Sequence, residues 1–157
     1  MVVGKIGKYV GRSRRLSRNC GQAQVEFVLS ILFVLLLIFG IFEIIMLIYT
    51  YNVLADSAKE GVRSAIVLGS DSLNSFSAGG SQNCGAASSP VYDTVCGYAK
   101  ASFHNISGMT VTVSYPDGAN DPTDRVQVLV SYPYQPLLGL GWPTVTVHAA
   151  AEGRIFF

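Results

Sequence analysis

Gly21 and Gln22, with Glu26 four residues further on, place a cleavable bond and a carboxylate directly ahead of a long apolar run. The chemistry they allow is proteolysis followed by charge pairing. Cleavage of the Gly21–Gln22 bond frees the α-amine of Gln22, roughly 6 Å along a helix axis from Glu26. An ionised carboxylate at the edge of a bilayer is costly unless it is paired or reaches solvent. A neighbouring subunit displaced by about one helical turn would offer its own amine to Glu26 and set the stagger between helices. Otherwise Glu26 stays solvated at the interface.

Cys84 and Cys96 are the next candidates, separated by eleven residues in a stretch well beyond the apolar run. A small domain in an oxidising compartment gains from a disulfide, and a loop of this size would contribute about 3 kcal/mol in the chain-entropy model. A Cys84–Cys96 bond is therefore expected, in preference to two free thiols or a zinc site. Asp117, Asp121 and Asp124 crowd one loop, but their spacing lacks the EF-hand pattern and no bidentate Glu follows, so a solvated turn is expected rather than bound calcium. His104 and His148 are expected to be solvated surface residues. Asn105-Ile106-Ser107 fits a glycosylation acceptor, a pattern too short to decide anything. The chain has no G-x-S-x-G, G-x-x-x-x-G-K, H-E-x-x-H or C-x-x-C motif. No catalytic residue, cofactor or metal is expected, and no enzymatic role.

These residues need elements to hold them. Phe27 to Tyr49 is a stretch of 23 residues with one charge, Glu43, and as a helix it measures roughly 35 Å, enough to cross the hydrocarbon. Glu43 then lies near the outer interface, where it can snorkel. Six of the eleven Lys and Arg residues precede Gln22, whereas residues 22 to 157 carry five bases against ten acids. The positive-inside bias puts the N-terminus in the cytoplasm, and the acidic remainder argues against nucleic acid as a partner. A secretory signal is cleaved after its apolar core; here the glycine precedes the core, as in a prepilin-type leader, so cleavage leaves the helix on the mature chain. A lipoprotein anchor at Cys20 is disfavoured because the apolar segment follows that cysteine.

The organisation expected is a basic cytoplasmic leader over 1–21, a transmembrane helix and stem over 22–68, and a small extracytoplasmic domain over 69–157. Leu54, Ala58, Val62, Ala65 and Ile66 keep helical spacing, while Asp56, Lys59, Glu60 and Arg63 fall elsewhere, which makes the stem amphipathic. Gly61 costs about 1 kcal/mol there relative to Ala. Residues 70 to 89 read as a long exposed loop. Ser89-Pro90 opens a short helix carrying Val91, Val95, Ala99 and Phe103. Three alternating runs follow: Met109 to Tyr115, Val126 to Tyr132 closed by Pro133, and Thr144 to His148 and beyond. The fold class is α+β and pilin-like, a long membrane helix whose stem covers a small antiparallel sheet.

Gly21-Gln22-Ala23, Val25-Glu26-Phe27, the Leu-rich core, Gly40-Ile41-Phe42-Glu43 and Ala58-Lys59-Glu60-Gly61-Val62-Arg63-Ser64-Ala65 closely resemble the TadE-like family of tight-adherence pilus proteins. The likeness is strong over about residues 21 to 68. It implies a pseudopilin or minor pilin, single-pass in the bacterial cytoplasmic membrane, cut by a prepilin peptidase at Gly21–Gln22 and acting in the assembly or secretion of Flp-type pili. Its partners would be the bilayer, the peptidase, and other pseudopilins or assembly-platform proteins. Left uncleaved, the same chain would be an anchored scaffold or adhesin meeting partners through the Gly/Ser loop or the apolar Pro133-to-Pro143 segment.

Overall fold

A computed structural model describes residues 20–157, except 74, 75, 77, 78, 87, 88, 137–142 and 157. Most of the basic leader, residues 1–19, lies outside the described residues, as do Leu137, Leu138, Leu140 and Trp142 of the apolar segment. The element order is α1 (Cys20–Ile66), β1 (Gly80–Asn83), α2 (Pro90–Ser102), β2 (Thr110–Ser114), β3 (Arg125–Tyr134) and β4 (Val145–Arg154). The chain divides into two units, Met1–Ile38 and Phe39–Phe157.

In the first unit the described residues belong to α1 alone. Its side chains from Gly21 to Ile38 are exposed on every side, including Phe27, Phe33 and Val34. A helical segment that is apolar all round and exposed along its length is suited to lipid. Among the described residues one helix is long and apolar enough to cross a membrane, and none of its most apolar window is buried.

The second unit contains the rest of α1, α2 and the sheet. Burial of α1 sets in at Thr50 and continues through Val53, Leu54, Ser57, Ala58, Val62 and Ala65, the three-and-four spacing expected of a helix with one covered face. Asp56, Lys59 and Arg63 are exposed, and the pairs Lys59–Asp56 (3.0 Å) and Arg63–Glu60 (3.3 Å) lie at i,i+3 on the solvated side, where such pairs contribute little. The helix begins two residues before Gln22 and ends at Ile66, after which Leu68 N–H donates to the Ala65 carbonyl.

The sheet is antiparallel, in the order β1-β2-β3-β4. Val111 and Val113 of β2, Val126, Val128 and Val130 of β3, and Val147 and Ala149 of β4 face the core, with Met109 just ahead of β2. Apart from Leu129 and Pro133, the alternate residues on these strands are polar or small, and all are half-buried or exposed, which is the pattern of a sheet covered on one face. α2 contributes Val91, Tyr92, Val95, Cys96 and Ala99 to the same core.

Two expectations are corrected. The sheet has four strands instead of three, because residues 80–83 inside the expected loop form β1, paired Gly80↔Val113 to Asn83↔Thr110. The same stretch sends Phe76 into the core, edge-on to Tyr92, with its carbonyl accepting from the Tyr115 hydroxyl. Pro133 does not close β3, which runs on to Tyr134. The pairing of β2 with β3 ends at Ser131, so Pro133 pairs with β4 alone, the edge position at which proline is tolerated.

Candidate functional site

The residues that carried the leader motif sit at the start of α1. Gly21, Gln22 and Glu26 are all exposed, and a side chain built on Gly21 would meet no atom within 4 Å. The bond between Gly21 and Gln22 lies among the first described residues of α1.

Glu43, the other carboxylate of the apolar segment, is half-buried and accepts a 2.6 Å hydrogen bond from the Tyr134 hydroxyl at the end of β3. Burial, and then the adjacent carboxylate, push the Tyr134 phenol up to about 12. It therefore stays protonated and donating across the physiological range. This partner lies 91 residues away in sequence. The alternation Val126, Val128, Val130, Tyr132 continues naturally to Tyr134, and reading Pro133 as the end of the strand hid it.

A cavity of about 290 Å³ lies beside this contact, lined by Thr50 of α1, by Phe103, Asn105 and Ser107 after α2, and by Tyr132 to Gln135. Phe103 and Tyr132 stack with centroids 5.2 Å apart, and Tyr49 meets Phe103 edge-on. None of the lining side chains is charged, so the cavity has neither a base for an anion nor a carboxylate for a metal.

Cys84, just after β1, and Cys96, in α2, are joined by a disulfide with Cα atoms 5.4 Å apart. His104 and His148 are exposed; His148 Nδ1 lies 2.8 Å from the Ser131 hydroxyl across the strands. The three aspartates do not converge. Arg125 occupies both oxygens of Asp117, with Nη2 at 2.8 Å from Oδ1 and the backbone N–H at 2.9 Å from Oδ2, and Asp124 instead accepts the Ile155 N–H through its carbonyl. No group of three metal-ligating side chains occurs among the described residues.

The Arg125 contacts hold the Asp117 carboxyl at about 2, below its ordinary 3.8. A depressed carboxylate stabilises the fold above its unfolded value and loses that contribution as the pH falls towards the folded one. Unfolding midpoints followed between pH 4 and 2 are therefore expected to fall more steeply for the natural chain than for Asp117→Asn. Parallel curves would refute the assignment.

The arrangement defines a class: an α+β protein with one apolar N-terminal helix able to span a membrane and a small antiparallel sheet packed on the upper part of that helix. Residues 21–63 match the TadE-like protein family. Comparison with curated proteins and with solved structures returns no match.

Proposed function

We propose that the chain is a pseudopilin or minor pilin of a tight-adherence pilus apparatus, matured by a prepilin peptidase at Gly21–Gln22. The supporting observation is the combination, within one matched segment, of an exposed Gly21, Glu26 at the fifth mature position and a helix apolar on every side. The basic leader lies in the cytoplasm and is removed there, together with Cys20, and the helix remains as the membrane anchor. The new amine of Gln22 pairs with Glu26 of a neighbouring subunit, so the charge is neutralised only when subunits stand at the correct stagger. Residues beyond the span face the extracytoplasmic side, where an oxidising environment suits the Cys84–Cys96 bond. Partner subunits and the assembly platform are engaged through the helix and the folded domain, with no chemistry at the site itself.

The test is the N-terminus of the chain recovered from native membranes with the prepilin peptidase active and inactive, by intact mass and terminal sequencing. The expected result is a start at Gln22 only when the peptidase is active. A chain beginning at Met1 in both samples would reject this reading in favour of an anchored scaffold.

A further inference from the structure

The contact between Glu43 and Tyr134 fixes a depth. Ile44, Ile45, Met46, Leu47, Ile48 and Tyr49 follow Glu43 on α1, and all six are exposed on the protein's own surface. They lie on every side of the helix, which suits a segment surrounded by lipid, and close burial by the domain sets in at Thr50, with Tyr49 already edge-on to Phe103. The bilayer must then reach as far as Tyr49. Glu43 lies six residues earlier, about 9 Å deeper along the axis. Tyr134 donates to its carboxylate over 2.6 Å, so the end of β3 reaches below the level at which α1 leaves the lipid.

We infer that the carboxyl end of β3, Tyr134 to Pro136, is seated in the outer leaflet, giving the folded domain a second contact with the bilayer beside α1. The inference rests on α1 spanning a membrane, as proposed above. Its partner is the glycerol and upper acyl region of the lipid. The residues suit that place: Tyr134 satisfies a carboxylate that would be costly at such depth, and the cavity alongside is lined by uncharged side chains, Phe103 and Tyr132 among them. The chain continues after Pro136 with Leu137, Leu138, Leu140 and Trp142, a composition that carries no charge to oppose insertion. The domain is thus held at a set height and tilt instead of swinging on a stalk, which a subunit needs if its surfaces are to meet neighbours in register.

The experiment uses the full chain carrying Cys20→Ser, with the native disulfide intact, in phosphatidylcholine vesicles. Spin labels are placed singly through Gln135→Cys, Val34→Cys in the apolar segment and Thr112→Cys on the polar sheet face. Collision with oxygen, which partitions into lipid, is compared with collision with a water-soluble nickel chelate. The expected result is a label at 135 shifted towards the lipid-like behaviour of 34 and several-fold less exposed to nickel than 112. A label at 135 resembling 112, with 34 lipid-like, would overturn the inference and leave the span intact. A label at 34 open to nickel would overturn both.

Discussion

Gly61→Val is expected to destabilise the folded domain by about 3 kcal/mol, at the upper end of what overpacking costs, even though it removes a residue disfavoured in helices. A β-carbon built on Gly61 would run into Val95 Cγ2 and lie 3.2 Å from Val128 Cγ1. Both neighbours are branched at Cβ and fully buried, so neither methyl group has space to turn away. Gly61 faces Val95 of α2 and Val128 of β3 at once, and the methyl groups of a new valine would have to displace an element. Gly61→Ala separates the two effects: propensity alone predicts a gain of about 1 kcal/mol, whereas the clash predicts a loss of 1–2 kcal/mol. Denaturant unfolding of both variants in detergent decides between them, and a stabilised alanine variant would show that the stem does not pack this closely. Gly153 makes a matching approach from the sheet, with a built β-carbon 2.5 Å from Val62 Cγ1 and 3.1 Å from Ile66 Cγ2.

That packing explains what the sequence revealed and what it concealed. The buried face of the stem, α2 and three strands were legible because valines and alanines repeat at the spacing of helix or strand and polar residues fill the gaps. Gly61 read as a local penalty, since nothing in its neighbourhood announces that Val95 and Val128 converge on it from other elements. β1 was illegible for a different reason. Gly80, Ser81, Gln82 and Asn83 have no apolar alternation, because this edge strand is held by its ladder to β2 and by side-chain bonds from Thr112 to Ser81 and from Thr110 to Asn83. Phe76 is a lone aromatic in a Ser- and Gly-rich stretch, and only the tertiary fold gives it Tyr92 and Tyr115 as neighbours. At the candidate site the leader motif was readable because it is contiguous. The Glu43–Tyr134 pair was not, because it joins segments far apart in sequence and depends on a strand continuing through a proline.

The weakness of β1 makes the disulfide the second place where a large effect is expected. The strand has four residues, three of them exposed, so its ladder and its hydroxyl contacts have little burial to reinforce them. What anchors it to the core side is Tyr92, whose hydroxyl donates to the Gly80 carbonyl over 2.8 Å, and the covalent link from Cys84 to Cys96 on the same helix. Closing a loop between residues 12 apart restricts the unfolded chain by an amount worth about 3 kcal/mol. Reduction, or Cys84→Ala with Cys96→Ala, is therefore expected to lower the unfolding free energy by about that much and the midpoint by roughly 12–24 °C. The loss should also be local in its first stage. Amide exchange at Ser81 to Asn83 is expected to accelerate before that of Val128 and Val130, because β3 is paired on both sides while β1 has β2 alone. Hydrogen exchange read by mass spectrometry on the oxidised and reduced full-length chain checks both parts. An unchanged midpoint after reduction would mean that the bond restrains nothing. Uniform acceleration across the sheet would mean that β1 unfolds with the core and that the link stabilises the domain as a whole.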